Sequence, residues 1–222
     1  MLQVFDGTDE LKKAGLYEKM WVARYQVFVQ DLGWSLPHKN QKEKDLYDTP
    51  EAIYLVNCDG TGNIVSSARL LPTTMPFLMD EIFGYLIDPN KIVPKGQTVL
   101  ELTRYFINPK YSSLRDVQRL SGEIFCGVME YCVEEAITSL LIVMDTRFLP
   151  QLQEIGWDWR PLGLPREFGG GPNVHGGGHA LAVEVLPSEA ALQASTQRRN
   201  VALPNLIRSD TNQPQNPTNS AH

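Results

Sequence analysis

Apolar and polar positions along this chain switch repeatedly between strand-like and helix-like spacing, and no segment repeats another. Residues 2–5 read as a short apolar strand. Leu16, Met20, Ala23 and Val27 then recur at helical spacing, with Tyr17, Trp21, Arg24 and Phe28 on the adjacent face, which predicts a helix over 9–30. A polar loop over 31–48 carries Trp34. Two β-rich runs, 52–58 and 64–71, flank Asp59-Gly-Thr-Gly-Asn63, a hairpin signal. A short helix over 75–87 should turn Phe77, Phe83 and Leu86 inward, and 99–107 reads as a strand. Val117, Leu120, Ile124, Val128 and Cys132 mark a long helix over 114–137. The continuous apolar run 139–144 fits a strand covered on both faces. A short helix near 147–154 and strands near 157–164 and 180–186 complete the pattern. The order implies one mixed-sheet α/β domain over about 1–190. Residues 191–222 are then a helical remnant and a tail whose Asn, Pro and Gln content from about 200 predicts disorder.

Composition narrows the function classes. A chain of 222 residues with 42% hydrophobic content can bury a core without disulfide or metal staples. The formal charge of −6 argues against non-specific nucleic-acid binding, which needs a surplus of Lys and Arg at the phosphates. No apolar run approaches the roughly 18 residues of a membrane span. The first residues carry no export pattern, so a cytoplasmic location is expected. Cys58, Cys126 and Cys132 lack zinc-ligand spacing and are expected as reduced thiols.

Familiar catalytic motifs are missing. There is no phosphate-binding glycine fingerprint after a strand and no nucleophile elbow. The Gly-rich segment 169–178 opens no helix and reads as a hairpin loop. His175 and His179 lie four apart, but the glycines around them forbid a metal-binding helix. The informative signal is charge in places that should be apolar. Arg24 interrupts an aromatic helix stripe, Arg69 a core strand, and Glu101 and Arg104 a third run, Val-Leu-Glu-Leu-Thr-Arg-Tyr-Phe-Ile. Such charges are costly unless paired or aimed at a ligand. Asp45 and Asp48 can supply the opposite sign. Together the arginines and carboxylates fit a pocket for a small zwitterion, with Phe28 and Trp34 suited to its cationic or aromatic part.

The ordered series Arg24, Phe28, Trp34, Asp45, Asp48, Arg69, Phe83, Glu101 and Arg104 resembles the signature of LuxI-type acyl-homoserine-lactone synthases, the autoinducer synthases. Softer similarity continues through Gly156-Trp157 and Pro161-Leu-Gly-Leu-Pro165. The resemblance implies an acetyltransferase-like α/β fold with a splayed strand pair forming the acyl cleft. It also implies an acyltransferase of quorum sensing that uses S-adenosyl-L-methionine as a substrate and needs no cofactor or metal. In that scheme the S-adenosylmethionine amine attacks an acyl thioester. Its carboxylate then displaces the sulfonium, which closes the lactone and releases methylthioadenosine. Glu101 matches the family position for the base, and the arginines suit the substrate carboxylate. The donor is acyl carrier protein, the commoner family donor, or acyl-coenzyme A; Lys110, Arg115 and Arg119 offer it a basic helix start. Leu141 aligns to a position where a family Thr accompanies 3-oxoacyl products, so an acyl group without a 3-oxo oxygen is expected. Two alternatives are a coenzyme A-dependent N-acetyltransferase of the same fold and a non-catalytic ligand-binding module. Residues 115–122 lack the acetyltransferase glycine spacing, and the intact charge set argues against loss of catalysis.

Strand geometry adds one more expectation. Glu101 and Arg104, three apart, would face opposite ways in a regular strand, so a bulge between them, with the small polar Thr103 left unpaired, is expected to turn both toward one cleft.

Overall fold

A computed structural model describes residues 2–9, 13–168 and 178–208. Its strands are β1 (Leu2–Asp6), β2 (His38–Lys39), β3 (Lys42–Glu43), β4 (Ile53–Cys58), β5 (Ile64–Pro72) and β6 (Val99–Ile107), then β7 (Ser139–Asp145), β8 (Trp159–Pro161), β9 (Arg166–Phe168), β10 (Gly178–Val185) and β11 (Leu206–Arg208). One sheet runs in the order β11-β1-β4-β5-β6-β7-β10-β8, with β9 also on β10, while β2 and β3 form a separate hairpin. The sheet is mixed: β11 joins β1 and β6 joins β7 in parallel, and the other pairs are antiparallel.

Helices cover both faces. On the back lie α3 (Leu114–Glu134), α4 (Leu149–Ile155) and α5 (Glu189–Arg199). The Ser113 hydroxyl caps α3 by accepting the Asp116 amide at 3.1 Å. The Leu120, Ile124, Val128 and Cys132 stripe of α3 is buried as its spacing predicts. On the front lie α1 (Ala14–Arg24), its π-helical continuation over Tyr25–Asp31, and the single turn α2 (Leu78–Glu81). A second apolar core fills this side, including Tyr17, Phe28, Tyr54, Phe77, Met79, Phe106 and Leu141.

Two irregularities of the sheet create the site. Strand β6 pairs with β7 only from Val99↔Ser139 to Leu102↔Ile142. Beyond that point β6 follows β5 to Ile107 and β7 follows β10 to Asp145, so the two strands part. The second irregularity is a bulge beside this opening. Ser67 pairs with Phe106 and Arg69 with Thr103, which leaves Arg104 and Tyr105 opposite Ala68 alone. Arg104 takes up the extra residue in the left-handed region, φ +50°.

The strands over 52–58, 64–71, 99–107 and 139–144 are where the pattern predicts them, within a residue or two. Other expectations need correction. The first helix starts at Ala14 and leaves α-geometry after Arg24, and the helix expected over 75–87 is one α-turn followed by a 3-10 turn at Gly84–Leu86. The loop over 31–48 contains the β2–β3 hairpin. Disorder from about residue 200 does not hold for the residues described. The α5 helix buries Ala191 and Leu192 in the back core, and β11 extends the sheet. There Glu130 accepts the Asn205 amide at 3.0 Å, and Arg208 bridges Glu134 and Glu135. The low apolar content of this segment is offset by backbone pairing and charge, which the composition does not display. The glycine segment 169–177, His175 and the tail beyond 208 lie outside the described residues. The thiols Cys126 and Cys132 are buried and Cys58 is half-buried, all free.

Candidate active site

Arg24 ends α1 as a fully buried side chain on its front-core face. Its guanidinium holds Asp48 with two bonds, 2.7 and 3.0 Å, and donates its Nε to Glu43 at 2.5 Å. Arg69 on β5 is equally buried. It holds Asp45 with two bonds at 2.6 and 2.9 Å, shares Asp48 at 2.8 Å, and donates its Nε to Thr103 at 3.0 Å. Arg104 donates to Glu43 at 3.0 Å and to Asp45 at 2.8 Å. Tyr54 adds a phenol bond to Asp48 at 2.9 Å. Three guanidiniums and three carboxylates therefore neutralise one another in a nearly dry layer between α1 and the sheet. Bidentate geometry is the form in which burial of such ions is best compensated.

The fold explains how separated residues meet. Directly opposed strand residues share a face, so the pairs Tyr54↔Arg69, Arg69↔Thr103, Leu71↔Glu101 and Glu101↔Leu141 place this row on the front. In a regular strand Arg104 would point back toward α3. The bulge turns it forward, and its guanidinium sits 5.6 Å above the Phe28 ring. The same extra residue shifts the phase so that Phe106 faces forward, 5.8 Å edge-on from Phe28. A left-handed non-glycine costs of order 1–2 kcal/mol, which the Glu43 and Asp45 bonds oppose. The bulge is thus present, but it falls one residue later than expected: Thr103 stays in the ladder, and Arg104 itself is the displaced residue.

The π-helical turn after Arg24 shapes the aromatic side. Leu32 donates its amide to the Val27 carbonyl five residues back, and Trp34 donates its amide to Phe28. This brings Trp34 into a stack on Phe28 with ring centres 5.2 Å apart.

Glu101 is buried beside the charge network but receives none of its arginine hydrogen bonds. Its two oxygens accept the Leu78 and Met79 amides, each at 2.8 Å, so it caps the start of α2. Burial is the largest influence on this carboxyl and pushes its pKa from 4.5 up to about 7, against the opposing pull of the two amides and of Arg69 and Arg104. Burial works in the same direction on Asp48, yet Arg24 and Arg69 overcome it and hold that carboxyl well below the usual range. Tyr54 is raised, chiefly by burial and the Asp48 charge.

The nine residues of the family-like series and Leu141 lie on this front side, whereas Lys110 precedes α3 and Arg115 and Arg119 lie in its first turns, on the back helix. Arg24, Asp45, Asp48, Arg69 and Arg104 form one network, with Phe28 and Trp34 beside it. Glu101 and Leu141 are cross-strand neighbours where β6 and β7 part, and half-buried Phe83 packs on the same core just after α2. Sequence reasoning missed Glu43 and Tyr54. Glu43 is fully buried and joins Arg24 to Arg104, but it sits among Lys42 and Lys44 in a stretch that reads as solvated. No cluster of three or more potential metal ligands occurs among the described residues. No helix among them is long and apolar enough to cross a membrane.

The chain also resembles known proteins in sequence and in fold. Residues 8–172 match the autoinducer synthase family. The chain is 31% identical over 151 residues to an isovaleryl-homoserine lactone synthase from Bradyrhizobium diazoefficiens, covering 67% of this chain and 65% of that protein. It is 31% identical over 141 residues to an acyl-homoserine-lactone synthase from Aliivibrio fischeri, covering 62% of this chain and 72% of that one. Its fold superposes with a TM-score of 0.82, at 24% identity, on a CoA-dependent acyl-homoserine lactone synthase solved with SAM and isopentyl-CoA, over 94% of this chain and 93% of that one.

Proposed function

Because the chain belongs to the autoinducer synthase family, we propose that it is an acyl-homoserine-lactone synthase working in the bacterial cytoplasm. Its substrates are S-adenosyl-L-methionine and an acyl thioester of carrier protein or coenzyme A, and it needs no cofactor. The observation that carries this reading is the self-neutral arginine–carboxylate layer lying beside a buried carboxyl, at the point where two parallel strands part.

Such a layer suits the amino-acid end of S-adenosylmethionine, which is itself a carboxylate and an ammonium. Arg104 keeps one guanidinium nitrogen, Nη1, outside the bonds described and stands over Phe28, so it can receive the substrate carboxylate. Asp45, paired with Arg69 and Arg104, is the less buried of the two loop aspartates and can share an oxygen with the ammonium, whereas Asp48 is sealed in by Arg24, Arg69 and Tyr54. Phe28 and Trp34 offer aromatic faces to the sulfonium.

The acyl thioester lies in the opening between β6 and β7, its tail against Leu141. Glu101 takes a proton from the ammonium, directly or through water, and the free amine attacks the thioester carbonyl. The amide forms and the thiol leaves. The substrate carboxylate, held in direction by Arg104, then displaces the sulfonium at the γ-carbon, which closes the lactone and releases methylthioadenosine.

The test is purified protein with S-adenosylmethionine and acyl thioesters of graded length, on coenzyme A and on carrier protein. Methylthioadenosine release is followed, and extracts of expressing cells are examined by mass spectrometry. Acyl-homoserine lactone together with methylthioadenosine is the expected pair. Acetyl transfer to another amine without methylthioadenosine would replace this reading with an N-acetyltransferase.

A further inference from the structure

Tyr47 lies between Asp45 and Asp48 on the loop that carries the charge network, yet its own side chain leaves that network. The Tyr47 hydroxyl donates to Glu81 Oε2 at 2.8 Å, and its ring packs into the front core. Its backbone amide is held by Asp45 Oδ1 at 3.0 Å, so the residue is fixed to the network at one end and to α2 at the other. Helix α2 is only Leu78–Glu81. A single turn has no stability of its own and exists where its ends are tied. Its first amides are tied to Glu101 and its last residue to Tyr47. Burial and the Glu81 carboxylate push the Tyr47 phenol up to about 12, so it stays a donor at neutral pH.

We propose that Tyr47 and Glu81 are positioning residues, a latch through which the arginine–carboxylate network sets the seat of Glu101. Movement of Asp45 and Asp48 as a substrate enters carries Tyr47 with it, and Tyr47 draws on the far end of the turn that caps Glu101. The two halves of the site, one for the amino-acid end of the substrate and one for the proton acceptor, thereby tighten together. The kinetic consequence rests on the proposed synthase reading; the mechanical link does not.

Amide hydrogen exchange and single-turnover kinetics test it on the full chain. In the free protein, Tyr47→Phe should speed exchange at the Leu78 and Met79 amides about tenfold, the worth of one charge-assisted hydrogen bond. Glu81→Ala, a change at an exposed side chain, should do the same. The double variant should add nothing, because both remove one bond. With S-adenosylmethionine alone, the wild type should gain protection at those two amides and each variant should lose that gain. The acylation rate should fall about tenfold while the dissociation constant for S-adenosylmethionine changes less than about threefold, a split that simple loss of fold would not produce. Unchanged exchange at Leu78 and Met79 in both single variants overturns the latch, whatever the substrate proves to be. A wild type that shows the latch in exchange but makes no methylthioadenosine overturns the synthase reading instead.

Discussion

Replacing Glu101 by Gln removes the ionisable group at the centre of the site and nearly preserves its shape. The structure sets two magnitudes. The carboxyl titrates near 7 in the folded protein against 4.5 in its ordinary state. At about 1.4 kcal/mol per pH unit, that difference corresponds to roughly 3 kcal/mol between its two protonation states. The sign follows from the proton count. Between pH 4.5 and 7 the folded state binds more protons at this site than the unfolded state, so its contribution to stability is present at low pH and is lost as pH rises through 7. Denaturant titrations of the wild type should show this decline, and Glu101→Gln should abolish it. The glutamine carries an additional cost. Its oxygen accepts only one of the Leu78 and Met79 amides well, and the other is left facing an NH₂ group, which costs about 1–3 kcal/mol.

Catalysis should respond more sharply. With S-adenosylmethionine saturating, single-turnover amide formation in the wild type should rise with a midpoint near pH 7 as the carboxylate forms. Glu101→Gln should lose that limb and fall by about 10²–10⁴-fold, the usual worth of a general base. Binding of S-adenosylmethionine should change little, because none of the arginine bonds involves Glu101. A variant that keeps the wild-type rate and pH limb would refute the assignment and leave water or a backbone carbonyl as the proton acceptor.

Asp48→Asn retains the shape but strands Arg24 and Arg69. A loss of about 3–5 kcal/mol by denaturant titration is expected, together with loss of methylthioadenosine release in whatever fraction remains folded. Asp48 is held ionised far below its ordinary range, so its share of stability is present above pH 4 and is lost as pH falls below that value; acid titration of the wild type should show an onset there that Asp48→Asn lacks. Competition between matched 3-oxo and unsubstituted thioesters should favour the unsubstituted chain, since Leu141 offers no hydrogen-bond donor, and a clear 3-oxo preference would remove Leu141 from the acyl pocket. Truncation after Asn200 should lower stability by about 2 kcal/mol or more in thermal melts, because it leaves Glu130 without the Asn205 amide and uncovers β1.

The site was legible in the sequence where a charge broke an apolar pattern. Arg69 and Glu101 stand in runs of β-formers, and no reading of those runs as core could leave them unpaired. Glu43 was hidden for the opposite reason: its neighbours are lysines, and the β2–β3 hairpin that turns it inward depends on left-handed backbone at Asn40 and Gln41. Tyr54 was hidden because an aromatic residue in a core strand needs no explanation, and only the fold reveals that its hydroxyl reaches Asp48. The bulge could be inferred from the odd spacing of Glu101 and Arg104, but its position depends on the β5 register, which is a property of two strands together. The π-helical turn after Arg24 likewise leaves no trace in spacing, because Val27 and Phe28 remain buried with or without it.

The two buried carboxyls on the front face, Asp48 on the loop before β4 and Glu101 on β6, show how one site can hold opposite acid–base behaviours. Asp48 and Glu101 are both stripped of water, and burial alone would raise both. Asp48 meets Arg24 and Arg69 directly, and full positive charges overwhelm the cost of burial. Glu101 bonds only to backbone amides, and these, with the more distant charges of Arg69 and Arg104, recover only part of that cost and leave the group balanced near neutrality. A carboxylate locked in its charged form is suited to orienting arginines for a substrate carboxylate, and a carboxyl near neutrality is suited to taking and returning a proton. What separates the two is direct arginine pairing, which Asp48 has and Glu101 lacks. The β6 bulge brings Arg104 to the front, but its bonds go to Glu43 and Asp45 and not to Glu101 three residues back. Straightening the strand would turn Arg104 to the back of the sheet and leave Glu43, Asp45 and Asp48 facing only Arg24 and Arg69. The irregular backbone is therefore as much a part of the proposed chemistry as the side chains it presents.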